Sequence, residues 1–163
     1  MLAYIALGSN LGHSAEILST VMDRLQTLTA QPLLRSSLWR SSPVDCPPGS
    51  PPFVNAMAGL LPLPGETPES LLAKLQALEK TFGRAPKKIL NEPRPLDLDL
   101  IAFGREQRHS AALTLPHPRA HLRRFVLQPL SEITPNLILP GQSKSVLQLL
   151  AALPTGETVQ RLV

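Results

Sequence analysis

The sequence predicts an α+β fold, an antiparallel sheet with two helices on one face, and three observations carry that prediction. Short runs alternate apolar and polar residues or are apolar throughout, longer segments repeat their apolar residues at helical spacing, and the two kinds interleave in the order βαββαβ. That order is the ferredoxin-like split βαβ arrangement, with two helices covering one sheet face and leaving the other available. The last third of the chain adds short helices or strands at the C-terminal end.

Each element has a local reason. Residues 2–8, "LAYIALG", form an apolar run ending in glycine and read as a buried strand, after which Gly8 and Gly12 let "SNLGHS" turn sharply. From Ser14 to about Leu28, Ile17, Leu18, Val21, Met22, Leu25 and Leu28 follow a helical period, with Ser14 as N-cap and Glu16 in the first turn. "PLLRSSLWR" and "FVNAMAGLL" read as the second and third strands, separated by a proline-rich loop over 43–52. Thr67 followed by Pro68 starts the second helix, whose apolar face is Leu71, Leu72, Leu75, Leu78 and Phe82. After a polar loop, "PLDLDLIAFG" alternates strictly, turning Leu96, Leu98 and Leu100 inward and Asp97 and Asp99 outward. Short helices follow near 119–132 and 145–153.

A chain of 163 residues has the length of one domain, so residues 1–163 are read as a single unit. One cysteine, Cys46, cannot close an internal disulfide, and the first residues lack the basic flank of a secretory signal. A cytoplasmic protein is expected, and no apolar run approaches the roughly 20 residues that span a bilayer. The net charge of +4 favours anionic partners, while 4% aromatic residues are too few for the stacking platforms of single-stranded nucleic-acid binders. An RNA-binding module on a ferredoxin-like sheet would need an RNP1-type aromatic motif, which is absent. The turn "GSNLG" is not a Walker loop, because no lysine follows Gly12.

Chemistry concentrates around the fourth strand. Asp97 and Asp99 project from one face with Cβ atoms roughly 6–7 Å apart, from the strand rise of about 3.3 Å per residue. In isolation that pattern is the ordinary solvated face of a strand. The alternative is a magnesium site, since Mg²⁺ takes hard oxygen ligands, commonly one or two carboxylates plus substrate phosphates. Arg84, Lys87, Lys88 and Arg94 precede the pair, and His117, Arg119, His121, Arg123 and Arg124 follow it. Acids for metal beside bases for phosphate are the combination phosphoryl transfer needs, although each basic cluster alone is the usual composition of a solvated surface. Phe53 and Asn55 share a strand face, a ring beside an amide, which is either core packing or a seat for a flat heteroaromatic ring.

With "AYIALGSNLG", "FVNA", "PRPLDLDLIAFG" and "LTLPHPRAHLRRFVLQPL" in hand, the chain resembles, essentially end to end, the 6-hydroxymethyl-7,8-dihydropterin pyrophosphokinase family of folate biosynthesis. The resemblance implies transfer of pyrophosphate from ATP to the pterin hydroxymethyl group, releasing AMP. It implies two Mg²⁺ ions held by Asp97 and Asp99, with Arg84 and Arg94 acting on the polyphosphate during transfer. It places the pterin between Phe53 and Phe125, read by Asn55 and groups near Ser42, Pro43 and Val44. It places Gln76, Glu79, Arg84, Arg94, Leu98, Thr114, His117 and Arg123 around ATP. Small-molecule substrates, no nucleic acid, no membrane and a monomer are the partners it implies. Pro86 and Asn91-Glu92 depart from the family pattern and leave open whether Lys87 and Lys88 meet phosphates.

Overall fold

The structure is a computed structural model and describes residues 1–41, 49, 51–83, 95–154 and 158–162. Its main sheet combines β1 (Ala3–Ser9), β2 (Leu34–Arg35), β3 (Trp39–Ser41), β4 (Phe53–Leu60), β5 (Asp97–Phe103) and β8 (Val159–Arg161). The order is β5-β1-β4-β3-β8, with β2 also pairing β4, and every pairing is antiparallel. The expected second strand is therefore two short pieces on either side of a break at 36–38, both paired to β4. Ser36 spans the break: its amide donates to the Met57 carbonyl at 3.0 Å, and its hydroxyl accepts from the Met57 amide at 2.8 Å.

Helices α1 (Ser14–Leu25) and α2 (Pro68–Thr81) cover one face, as the periodicity predicts. Leu18, Val21, Met22, Leu25, Leu71, Leu75 and Leu78 pack there against Ile5, Leu7, Ala56, Ala58, Leu98 and Leu100. Removing each such leucine from water contributes about 1.5–3 kcal/mol. α2 starts at a reciprocal cap: Thr67 Oγ1 accepts from the Ser70 amide at 3.0 Å, and Ser70 Oγ accepts from the Thr67 amide at 2.9 Å. Ser14, in contrast, is the first helical residue of α1 and not its cap. Its hydroxyl accepts instead from Ser9 Oγ at 2.9 Å, tying the helix start to the end of β1.

The other face is divided. α3 (Arg124–Ile133) and α4 (Val146–Ala152) pack Val126, Leu127, Leu130, Val146 and Leu150 onto Tyr4, Met57, Ile101 and Ala102. The C-terminal helices thus cover the end of the face that the βαββαβ core would have left open. A bulge in β5 makes this cover possible. Ile5 pairs with Leu100 and Tyr4 with Ala102, so Ile101 is the extra residue and turns to the same side as Ala102. The remaining hairpin, β6 (Arg108–His109) with β7 (Thr114–Leu115), is latched to the start of α2 by Arg108 Nε on Glu69 at 2.8 Å.

No helix among the described residues is long and apolar enough to cross a membrane. Thr67→Ala removes one side of the α2 cap and is expected to cost about 1 kcal/mol. Thermal unfolding should show a Tm lower by about 2–4 °C, whereas an unchanged Tm would mean the cap is not holding the helix start.

Candidate active site

The end of the second face that α3 and α4 leave uncovered is built around β1, which lies between β5 and β4. Gly8 pairs with Asn55 on one side and Asp97 on the other; one step back, Ala6 pairs with Met57 and Asp99. The register alone therefore sets Asn55, Gly8 and Asp97 in one row across three strands. A Cβ placed on Gly8 would lie 3.4 Å from Asn55 Nδ2, 3.7 Å from Phe53 Cδ1 and 4.0 Å from Asp97 Cβ. Gly8 is thus strand, and the sharp turn belongs to Gly12, whose φ is +81°.

Asn55 is only 6% exposed. Its Oδ1 accepts a buried hydrogen bond of 2.6 Å from Ser41 Oγ, which turns the amide nitrogen and its two hydrogens toward Gly8. Ser41 is held in turn by β3, and Trp39 and Ser37 beside it both donate to the Glu132 carboxylate on α3. Asn10, also buried, donates from Nδ2 to the Pro51 carbonyl at 3.4 Å, joining the turn after β1 to the chain entering β4.

Asp97 and Asp99 are half-buried on the Gly8 side, while Leu98 between them points into the α1/α2 core. β5 is the edge of the sheet, and the outward N–H of Leu98 donates to Glu79 Oε2 of α2 at 2.9 Å. Glu79 is 8% exposed and so pins the backbone between the two aspartates from below. Gln76, one turn earlier on α2, is exposed. Among the described residues no group of three or more His, Cys, Asp or Glu side chains converges. Two hard carboxylates on one strand face fit magnesium, which completes its shell with water and phosphate, and do not fit a closed all-protein cage.

His117 reaches this edge because the bulge frees a carbonyl: its amide donates to the Ile101 oxygen at 2.9 Å. The imidazole Nδ1 accepts from the Arg119 amide at 3.2 Å, so in the neutral ring the proton sits on Nε2. Burial pushes the His117 pKa down, Arg123 and Arg119 push it further, and Asp97 opposes them. The Arg123 guanidinium lies 5.4 Å from the centre of the Phe125 ring at the start of α3. Thr114 is half-buried in β7, which packs beside β5. A groove of about 230 Å³ between α1 and α2, near Arg24 and Lys74, lies on the opposite side and contains none of these residues.

The profile of the 7,8-dihydro-6-hydroxymethylpterin-pyrophosphokinase (HPPK) family matches residues 4–135. The chain belongs to this family. The 2-amino-4-hydroxy-6-hydroxymethyldihydropteridine pyrophosphokinase of Pseudomonas aeruginosa is 38% identical over 98% of this chain and 95% of its own length. The Synechocystis enzyme of the same name is 36% identical over 91% of this chain and 74% of its own. A crystal structure of Plasmodium falciparum HPPK-DHPS superposes with a TM-score of 0.72 at 14% identity, which establishes the shared fold. It covers 92% of this chain, and this chain spans 45% of that longer one.

Of the residues the HPPK resemblance singled out, the structure groups Phe53, Asn55 and Asp97 around Gly8, and it sets His117 within electrostatic range of Asp97 and Arg123. Leu98 presents its backbone to the sheet edge, its side chain being in the core. Ser42, Pro43, Val44, Arg84, Lys87, Lys88 and Arg94 lie outside the described residues. Ser41 and Gly8 were not read as site residues from the sequence; Ser41 carries no local signal, and Gly8 looks like a turn glycine until its strand register is known.

The lowered pKa of His117 has a sign that can be measured. Below about pH 6.5 an unfolded histidine takes up a proton that folded His117 still refuses, so stability is complete above that pH and falls as pH drops through it. Metal-free protein should therefore lose more Tm between pH 7.5 and pH 5 than the His117→Gln variant does. Equal losses would show that His117 is not held neutral.

Proposed function

We propose that this chain transfers pyrophosphate from ATP to 6-hydroxymethyl-7,8-dihydropterin, giving the pterin diphosphate and AMP, on the sheet face between Phe53 and His117. The observation that carries the assignment is the row Asn55, Gly8, Asp97, which sets a ring-reading amide and a metal-type carboxylate on either side of a residue with no side chain.

In this reading Asp97 and Asp99 hold two magnesium ions. When bound, magnesium neutralises the phosphates and aligns the attacking and leaving oxygens. Phe53 and Phe125 stack on the pterin, and Asn55 donates to an acceptor on its edge, its amide oriented by Ser41. Stacking with edge hydrogen bonds discriminates strongly, because an analogue without the acceptor leaves a buried donor unpaired. His117 offers Nε2–H and Arg123 its guanidinium to ATP oxygens; neutral His117 avoids adding a third positive charge beside Arg119 and Arg123. Gln76, Glu79, Thr114 and the Leu98 backbone are assigned to the nucleotide, and Arg84 and Arg94 to the polyphosphate in the transition state. Ser42, Pro43 and Val44 are assigned to the pterin edge. The pterin hydroxymethyl oxygen attacks the β-phosphorus and gives up its proton to solvent, the bond from that phosphorus to the α,β-bridging oxygen breaks, and AMP carries that oxygen away. A monomer working in the cytoplasm completes the proposal.

Incubation with ATP, Mg²⁺ and the pterin should yield AMP only when the pterin is present. ADP as product, or AMP without pterin, would overturn the assignment. Asp97→Ala and Asp99→Ala should each lower turnover roughly a thousandfold, the equivalent of several kcal/mol of charge stabilisation. Their circular dichroism and Tm should stay close to wild type, since half-exposed strand carboxylates contribute little to the core, and chelation of Mg²⁺ should abolish turnover of the wild type.

A further inference from the structure

Gly8 has no backbone reason to be glycine. It sits inside β1 and is not among the glycines with positive φ, unlike Gly12 or Gly104. Among the described residues it has no packing reason either: the nearest atoms to an added Cβ, at 3.4, 3.7 and 4.0 Å, are at ordinary van der Waals distance. Gly59, on the neighbouring strand β4, is the contrast, because a Cβ there would press on Leu34 and Tyr4 at 3.2 Å. Glycine inside a central strand costs stability relative to alanine, through unfolded-chain entropy and lost packing, and often marks close approach of a ligand.

What surrounds the vacant Cβ position indicates the ligand. One neighbour is the ring of Phe53, one the amide of Asn55 and one the carboxylate residue Asp97. We propose that Gly8 is a substrate-selecting position of the pterin reaction. Its missing side chain lets the bicyclic ring come down to the backbone of β1, with Phe53 against its face and Asn55 at its edge, and with the hydroxymethyl arm directed toward Asp97. A methyl group there occupies the space the ring needs, while the described residues leave room for it. The inference rests on the pterin reading above.

The test is Gly8→Ala. Binding of 6-hydroxymethyl-7,8-dihydropterin is followed by its fluorescence in the presence of Mg²⁺ and a non-hydrolysable ATP analogue, alongside nucleotide affinity and thermal unfolding. The variant should keep or slightly raise its Tm and bind the nucleotide as wild type does. Its pterin affinity should fall by about 10–200-fold, the range that a misfit of methylene size commands. Gly59→Ala should do the reverse, losing Tm while its folded form keeps pterin affinity. Wild-type affinity in Gly8→Ala, with the wild-type protein binding pterin normally, would overturn this inference alone. Failure of the wild-type protein to bind pterin would overturn the underlying reading with it, and a Tm loss in Gly8→Ala would make the glycine structural and equally overturn the proposal.

Discussion

The site depends on one constraint, the double pairing of β1. Because β1 is bonded on both sides, to β4 and to β5, its register fixes which residue of each neighbour stands beside Gly8. A shift of one residue on either side would turn Asn55 or Asp97 into the α1/α2 core and bring an apolar residue out. Such a shift is opposed by the whole apolar set of that face, Ile5, Leu7, Ala56, Ala58, Leu98 and Leu100, which would have to leave its partners on the helices. The core holds the chemistry in place through the pleat, without touching it.

Coverage of the second face then decides where a ligand can approach. α3 and α4 seal the end that carries Tyr4, Met57 and Ile101, and their packing needs the bulge that turns Ile101 and Ala102 the same way. The same irregularity leaves the Ile101 carbonyl for the His117 amide, so the segment carrying the histidine is bonded to the strand carrying the aspartates. Packing and site geometry share one local distortion, as is common where bulges stand beside active sites.

The electrostatics are arranged around partial burial. Asp97 and Asp99 lie close together on one face, with Arg119 and Arg123 acting on the neighbouring His117 along with Asp97 itself. Burial and those arginines favour the neutral imidazole, leaving it a directed donor instead of another cation. Below the strand, Glu79 spends its carboxylate on the Leu98 amide, an arrangement that stiffens the edge strand where a free N–H would otherwise need water.

Much of this was legible in the sequence, and the boundary of what was legible is physical. Hydrophobic period, the Thr67-Pro68 start and the alternation of "PLDLDL" are local properties, set by helix and strand geometry over a few residues, so the βαββαβ order and the shared face of Asp97 and Asp99 could be read directly. The Ser14 cap, the unbroken second strand and Gly8 as a turn residue were misread, because in each case a partner distant in sequence or space competes with the local preference: Ser9 for Ser14, Met57 for Ser36, and the paired strands for Gly8. Ser41 against Asn55, Glu79 against Leu98 and the cover provided by α3 and α4 needed the tertiary structure altogether. The sequence by itself determined which residues can carry the chemistry and which way each faces along its own strand. Only the tertiary structure decided which strands stand side by side and in what register, since that is set by the summed burial of the whole sheet, which no local window contains.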